Sequence, residues 1–257
     1  MSKKIIVQIY EVQNPYEAEA LIETGVDTIG SVLLPGENWK HPAIKETISL
    51  VKKTTSQSSL IPLFREEDTI FAILDYYRPD IVHFCEDIHK IFRESGNVNT
   101  LIQLQKNVKK RFPEIKVMRS IPIASAGFAD LVPTVKLGEM FSKLSDYLLT
   151  DTLLQNEPNT VNIAQPVNDF IGITGITCDW DVAAQLVKAS PVPVILAGGI
   201  SQDNVLDGIM HVRPAGIDSC TNTNAVDNNG CPIRFKKDMN KVKLLIDETK
   251  KAMQLFE

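Results

Sequence analysis

No stretch of this sequence approaches the roughly 18 consecutive apolar residues that a membrane helix needs, so no membrane partner is expected. It has no basic excess either. The 27 lysines and arginines stand against 32 aspartates and glutamates, for a net charge of -5. Nucleic-acid backbones demand basic patches, and this balance argues against such a partner. Cysteine is scarce: Cys85, Cys178, Cys220 and Cys231 show no CxxC spacing, and none pairs with a nearby histidine in a zinc pattern. No metal site is therefore expected, and reduced thiols in the cytoplasm are the default reading. Lys3-Lys4 runs straight into the strand pattern Ile5-Ile6-Val7 and not into a signal-peptide core. Glycine is missing where a dinucleotide fold needs it: the first strand is followed by Glu11-Val12-Gln13-Asn14-Pro15. That excludes the GxGxxG turn of a Rossmann sheet, and no cofactor is implied.

What is present is the composition of an ordinary globular protein: 257 residues, 44% hydrophobic and 23% charged. The organising stretch is Gly172-Ile173-Thr174-Gly175, then a helix from Trp180, then Pro193-Val194-Ile195-Leu196-Ala197 ending on Gly198-Gly199. A continuous apolar run reads as a strand buried on both faces, as in parallel sheets. Glycines at its C-terminal end let backbone N–H groups approach an anion, and a following helix adds its positive dipole end. The same residues also suit a plain tight strand-to-helix turn.

The rest of the chain repeats this strand-then-helix pattern. Strands are expected at 5–10, 26–34, 60–64, 81–85, 115–123, 146–150, 192–197 and 215–220. The first helix has Asn14 as cap, Pro15 at its first position and Glu17 behind it, a strong start signal. A long helical region over 87–111 is interrupted near Gly96-Asn97, and the last helix spans about 238–256. Residues 153–169, rich in Asn, Gln and Pro, read as an irregular insertion of the kind that often serves as a lid. Consecutive βα units force parallel strands with right-handed crossovers. Eight of them in one domain of this length suit a closed (β/α)8 TIM barrel.

In such a barrel the chemistry sits at the C-terminal ends of the strands. Those ends offer Tyr10 and Glu11, Pro35, Arg65, Cys85 and Glu86, Arg119, Asp151, Gly198 and Gly199, and Thr221 and Asn222. Acids, cations and anion-cradling glycines imply a small anionic metabolite. Asp151 ends the apolar strand Tyr147-Leu148-Leu149, so desolvation would raise its pKa toward neutrality and suit it to acid catalysis. It could equally be a helix cap or salt-bridge partner. Arg65 and Arg119 suit a substrate carboxylate or phosphate, or else neutralise Glu66 and Asp151. Glu11 and Glu86 are bases or solvated rim carboxylates. His83 lies mid-strand and reads as a buried, satisfied histidine.

Several segments resemble the phosphoribosylanthranilate isomerases, barrel enzymes of tryptophan biosynthesis. They are Gly25-Val26-Asp27-Thr28-Ile29-Gly30, Tyr147 to Thr152, Gly172 to Gly175 with Asp179-Trp180, Val194 to Ile200, Asp203-Asn204-Val205, Gly216-Ile217-Asp218 and Lys237-Asp238. They run in the family's order over nearly the whole chain. The resemblance implies an Amadori rearrangement of an N-linked ribose phosphate to an aminoketose phosphate. It makes Asp151 the acid acting on the ring oxygen, and places Gly172, Gly175, Gly198 and Gly199 on the phosphate side. It also implies a cysteine base at the end of strand one, where this chain has Tyr10; Tyr10, Glu11 or Cys85 is then the replacement. A phenol with an ordinary pKa near 10 is a poor base at pH 7 unless activated. The family's arginine after strand two, which holds the anthranilate carboxylate, aligns near Trp39. Its Ser-Ser-Gly after strand eight appears as Cys220-Thr221-Asn222.

The expected function is thus sugar-phosphate isomerisation by a monomer or homodimer in the cytoplasm, acting on a small phosphorylated metabolite. The rival is a diverged paralogue that binds such a metabolite without this reaction, or with another. A Schiff-base aldolase would need a lysine at a strand end, and none stands out.

Overall fold

The computed structural model describes residues 4–36, 38–154 and 168–256. Its first half runs β1 (Ile6–Ile9), α1 (Pro15–Thr24), β2 (Thr28–Leu33), α2 (Pro42–Val51), β3 (Gln57–Pro62), α3 (Glu67–Tyr77) and β4 (Ile81–Phe84). Two helices follow, α4 (Ile88–Ser95) and α5 (Asn99–Arg111), then β5 (Lys116–Ala124), α6 (Thr134–Ser142) and β6 (Tyr147–Leu153). The chain continues through α7 (Trp180–Ala189), β7 (Val194–Leu196), α8 (Val205–Val212) and β8 (Gly216–Ser219). A hairpin, β9 (Asn224–Val226) and β10 (Pro232–Lys237), precedes α9 (Met239–Gln254).

Strands β1 to β8 close into one parallel barrel in sequence order, with β8 pairing back onto β1. This is a (β/α)8 TIM barrel. Local signals account for the helix starts. Asn14 accepts the N–H of Glu17 at 2.9 Å, and Asp179 accepts those of Asp181 and Val182. Gly96 ends α4, which is the break expected inside 87–111.

The N-terminal face of the barrel is stitched by three aspartates that open even-numbered strands. Asp27 accepts the N–H of Val7 at 3.0 Å, Asp80 that of Ser58 at 2.8 Å, and Asp146 that of Val117 at 2.8 Å. Each ties its strand to the preceding one, far from the opposite mouth where chemistry belongs.

Three expectations change. Strand β6 runs on to Leu153, so Asp151 lies within it, opposite Pro122 of β5, and does not terminate it. Strand β3 begins at Gln57, because Ser58 and Ser59 are buried against β2 and β4 in spite of their polarity. The hairpin β9–β10 was not foreseen; its strands are short and its sequence polar. Of the expected insertion at 153–169, residues 155–167 lie outside the described residues. Among those described, no helix is long and apolar enough to cross a membrane.

Candidate active site

A cavity opens at the C-terminal mouth of the barrel. Side chains alternate across a strand, and inward side chains of several strands meet here: Tyr10 from the end of β1, Val32 from β2, His83 and Cys85 from β4 and its end, Asp151 from β6 and Asp218 from β8. Gly172 to Gly175, Gly198 to Ile200, and Cys220 to Asn222 form the rim on the β6–β8 side. Phe170 and Ile171 close the β4 side, where Ile171 donates its N–H to the carbonyl of Cys85 at 2.9 Å.

Asp151 is partly exposed to the cavity, yet desolvation pushes its carboxyl up to about 7, with the charge of Asp218 adding to the effect and the Thr152 N–H opposing it. Gly172 lies directly against it. A β-carbon at Gly172 would stand 2.5 Å from Asp151 Oδ2, and the backbone there has φ of +107°. Only glycine lets the turn pass so close to the acid.

The glycine turns converge. A β-carbon on Gly199, whose φ is +62°, would stand 2.5 Å from backbone atoms of Ile176 and Thr177. Asn222 ties three strand ends together by donating its amide to the carbonyl of Gly199 at 2.9 Å and to that of Gly175 at 3.5 Å. Asn204 holds the same turn, donating to Gly199 and accepting from Ser201. The hydroxyl of Thr221, buried at this rim, makes no protein hydrogen bond. A buried hydroxyl without a partner, beside these glycine turns, is chemistry suited to a phosphate.

Tyr10 does not project into the cavity as a free phenol. Its ring lies over Gly30, where no side chain would fit, and its hydroxyl meets Ser59 Oγ at 2.6 Å and His83 Nδ1 at 2.8 Å. His83 Nε2 meets Ser120 Oγ at 2.8 Å. Burial raises the phenol well above its ordinary value, partly offset by the Ser59 hydrogen bond, and lowers His83 to about 3. The histidine is buried and satisfied. Burial likewise drives the thiol of Cys85 well up, helped by Glu86 and Asp151.

Glu11 and Glu86 are not solvated rim carboxylates. Glu11, fully buried with φ of +63°, accepts from Arg234 of β10 at 2.7 Å. Glu86 pairs with Arg119, and both side chains are buried. Arg119 therefore cannot reach an anion at the mouth. It points outward from β5 into the layer of helices, where Gln105 accepts from it at 2.7 Å and the rings of Phe84 and Phe141 flank it. Its position in the middle of a nine-residue strand carried that signal: residues 118 and 120 face in, so 119 faces out. Arg65 is half exposed on the rim, pairing with Asp169 at 3.0 Å. It shares a shallow depression with Arg234, and this joins the main cavity at Leu63 and Phe170. Trp39 packs edge-on against Tyr76 of α3, outside both.

Asp218 belongs to the Gly216-Ile217-Asp218 segment of β8. It is buried mid-strand, accepts from Gln8 Nε2 at 3.0 Å, and is pushed up to about 7, by burial first, against the opposing Gln8 hydrogen bond and Lys237 charge. An acid inside an otherwise apolar strand was the available signal. Arg234 lay in a segment with no pattern to mark it. Among the described residues, no group of three or more His, Cys, Asp or Glu is arranged to hold a metal ion.

Fold and site together define a (β/α)8 barrel whose C-terminal mouth sets an acid, Asp151, against glycine turns. The sequence family described as N-(5'-phosphoribosyl)anthranilate (PRA) isomerase matches residues 147–248. N-(5'-phosphoribosyl)anthranilate isomerase 2 of Methanosarcina mazei is 29% identical over 163 residues, 60% of this chain and 61% of that protein. The corresponding isomerase of Methanothrix thermoacetophila is 23% identical over 242 residues, covering 92% of this chain and 97% of that one. The crystal structure of phosphoribosyl anthranilate isomerase from Thermotoga maritima shares the fold, with TM-score 0.68 and 17% identity over 96% of this chain and all of the other. The chain is thus similar to phosphoribosylanthranilate isomerases in sequence and in fold.

Proposed function

We propose that this protein catalyses the Amadori rearrangement of phosphoribosylanthranilate, the isomerisation of tryptophan biosynthesis, acting in the cytoplasm as a monomer or homodimer. The observation that carries this reading is Asp151, an acid poised near neutrality and packed against the glycine turn at Gly172. A structural relative of TM-score 0.66 was crystallised with reduced 1-(o-carboxyphenylamino)-1-deoxyribulose 5-phosphate, an analogue with a phosphate and an aromatic carboxylate.

In this reading the phosphate sits on the turns at Gly175, Gly198 and Gly199 and takes the Thr221 hydroxyl, with Asn222 holding the turns in place. The ribose ring oxygen lies at Asp151, which protonates it as the C–O bond opens. The carboxylate-bearing ring extends toward the depression lined by Arg65 and Arg234, which pair with Asp169 and Glu11 there.

Conversion of phosphoribosylanthranilate by purified protein, followed as loss of substrate fluorescence, tests this reading. Turnover that Asp151→Asn abolishes supports it. The one specific observation favouring a diverged binding protein is Tyr10, a buried and doubly bonded phenol where the family has a thiol base. No conversion, together with thermal stabilisation by sugar phosphates, would establish that second reading instead.

A further inference from the structure

The reaction needs a base for the sugar's C2 proton, and the cavity offers seven ionisable side chains: Tyr10, Glu11, His83, Cys85, Asp151, Asp218 and Cys220. Geometry removes most of them. The Tyr10 hydroxyl is held by Ser59 and His83, and the ring nitrogens of His83 are both engaged. Glu11 is committed to Arg234 and Asn224. Cys85 and Cys220 sit beside carboxylates in a desolvated site, which holds both as neutral thiols. Asp151 is the acid.

Resting on the isomerase reading above, we infer that Asp218 is the catalytic base, having taken over from strand β8 the proton abstraction that the family's thiol performs from strand β1. Strand β8 is the hydrogen-bonded neighbour of β1, and Asp218 stands opposite Gln8 in register. A carboxylate at 218 therefore works from the same sector of the barrel as a thiol at the end of β1. Tyr10 leaves that sector open, because its ring leans the other way, over Gly30 and toward β3 and β4. Gly198 and Gly199 lie at the end of β7, between β6 and β8, so Asp151 and Asp218 flank the turn that cradles the phosphate.

The surroundings assign the two protons. Every group facing Asp218 counts here: Gln8 from β1 donates to it, Lys237 from β10 bears a positive charge nearby, and Asp151 from β6 bears or loses a proton across the cavity. Tyr10, Cys85 and Cys220 stay neutral around pH 7, as does His83. Gln8 and Lys237 both favour the ionised form of Asp218, whose charge in turn favours the protonated form of Asp151. Around neutrality the pair thus shares one proton, and the Gln8 hydrogen bond and the Lys237 charge favour the form with Asp218 ionised.

The step balances. Asp151 gives its proton to the ring oxygen as the C1–O bond breaks and the nitrogen lone pair forms the C1=N iminium. Asp218 takes the C2 proton, the C2–H pair becomes the C1=C2 double bond, and the iminium electrons return to nitrogen. Ketonisation of the resulting enol-amine gives the aminoketose.

The test is steady-state turnover of phosphoribosylanthranilate by the wild-type protein and by Asp218→Asn. The expected result is a fall in kcat of about 10²- to 10⁴-fold, typical of a lost general base, with little change in KM. Asp218→Glu should recover part of it. Wild-type turnover with Asp218→Asn within about tenfold of it would overturn the assignment and leave the isomerase reading standing. An inactive wild type would overturn both. Should the variant not fold, the wild-type kcat profile decides: its acidic limb is expected between about pH 5 and 8, and a limb above about pH 8.5 would mark a thiol or phenol as base.

Discussion

Arg119 and Glu86 form an ion pair with both side chains out of contact with water, set between the barrel wall and the helices around it. Removing one partner strands a charge in the interior, which typically costs about 3 to 5 kcal/mol. Arg119→Ala should lower the urea midpoint accordingly, while the double replacement Arg119→Met, Glu86→Leu should regain most of the loss. Equal loss in the single and double variants would show that the pair contributes through shape alone.

Gly172 sets the position of the acid. Gly172→Ala brings a β-carbon to within 2.5 Å of Asp151 Oδ2 at a backbone angle that disfavours alanine. Either the turn shifts or the carboxyl does, and a displacement of about 1 Å can cost on the order of 100-fold. The expected outcome is a large fall in kcat for phosphoribosylanthranilate from a protein whose circular dichroism is unaltered. Wild-type kcat would show that the turn yields without disturbing Asp151.

The carboxyl of Asp218 titrates near 7 in the folded protein against 3.8 as the ordinary value. Below about pH 4 it is neutral in both states; from there to about pH 7 only the unfolded chain releases the proton, so its contribution to stability falls as pH rises. Asp218→Asn removes that pH-dependent loss. The variant should match the wild type at pH 4 and exceed it at pH 8 by about 2 to 4 kcal/mol, read as a higher Tm. A variant less stable at pH 8 would contradict the burial argument.

The Tyr10 hydroxyl satisfies two buried groups, Ser59 and His83. Tyr10→Phe leaves both short of a partner, for an expected loss of about 1 to 3 kcal/mol. Its effect on kcat should be far smaller than that of Asp218→Asn. A comparable effect in turnover would move the phenol into the proton transfer.

The aspartates under the barrel should matter to stability alone. Asp80→Ala strips Ser58 of the acceptor for both its N–H and its hydroxyl, at 2.8 and 2.7 Å. A loss of about 1 to 3 kcal/mol is expected in chemical denaturation, with turnover per folded molecule maintained. A drop in kcat would show that this face communicates with the mouth.

Much of this was legible in the residues themselves. The alternation of apolar runs with capped helices specifies eight βα units, and parallel pairing of eight such units closes a barrel. The glycines at 172, 175, 198 and 199 were legible as turns because local rules mark them, and Asp151 as a carboxylate in an apolar strand, although that strand runs two residues beyond it. What local rules could not decide is which face of a strand looks inward and what comes to rest against it. Arg119 and Asp218 are both charged residues inside apolar strands, and closure of the barrel sends one out to Glu86 and the other in to the cavity. Glu11 became a buried partner of Arg234 only because a hairpin 223 residues further along folds back over the end of β1. Charge, burial and proton affinity depend on neighbours distant in sequence, and so these were decided by the tertiary structure.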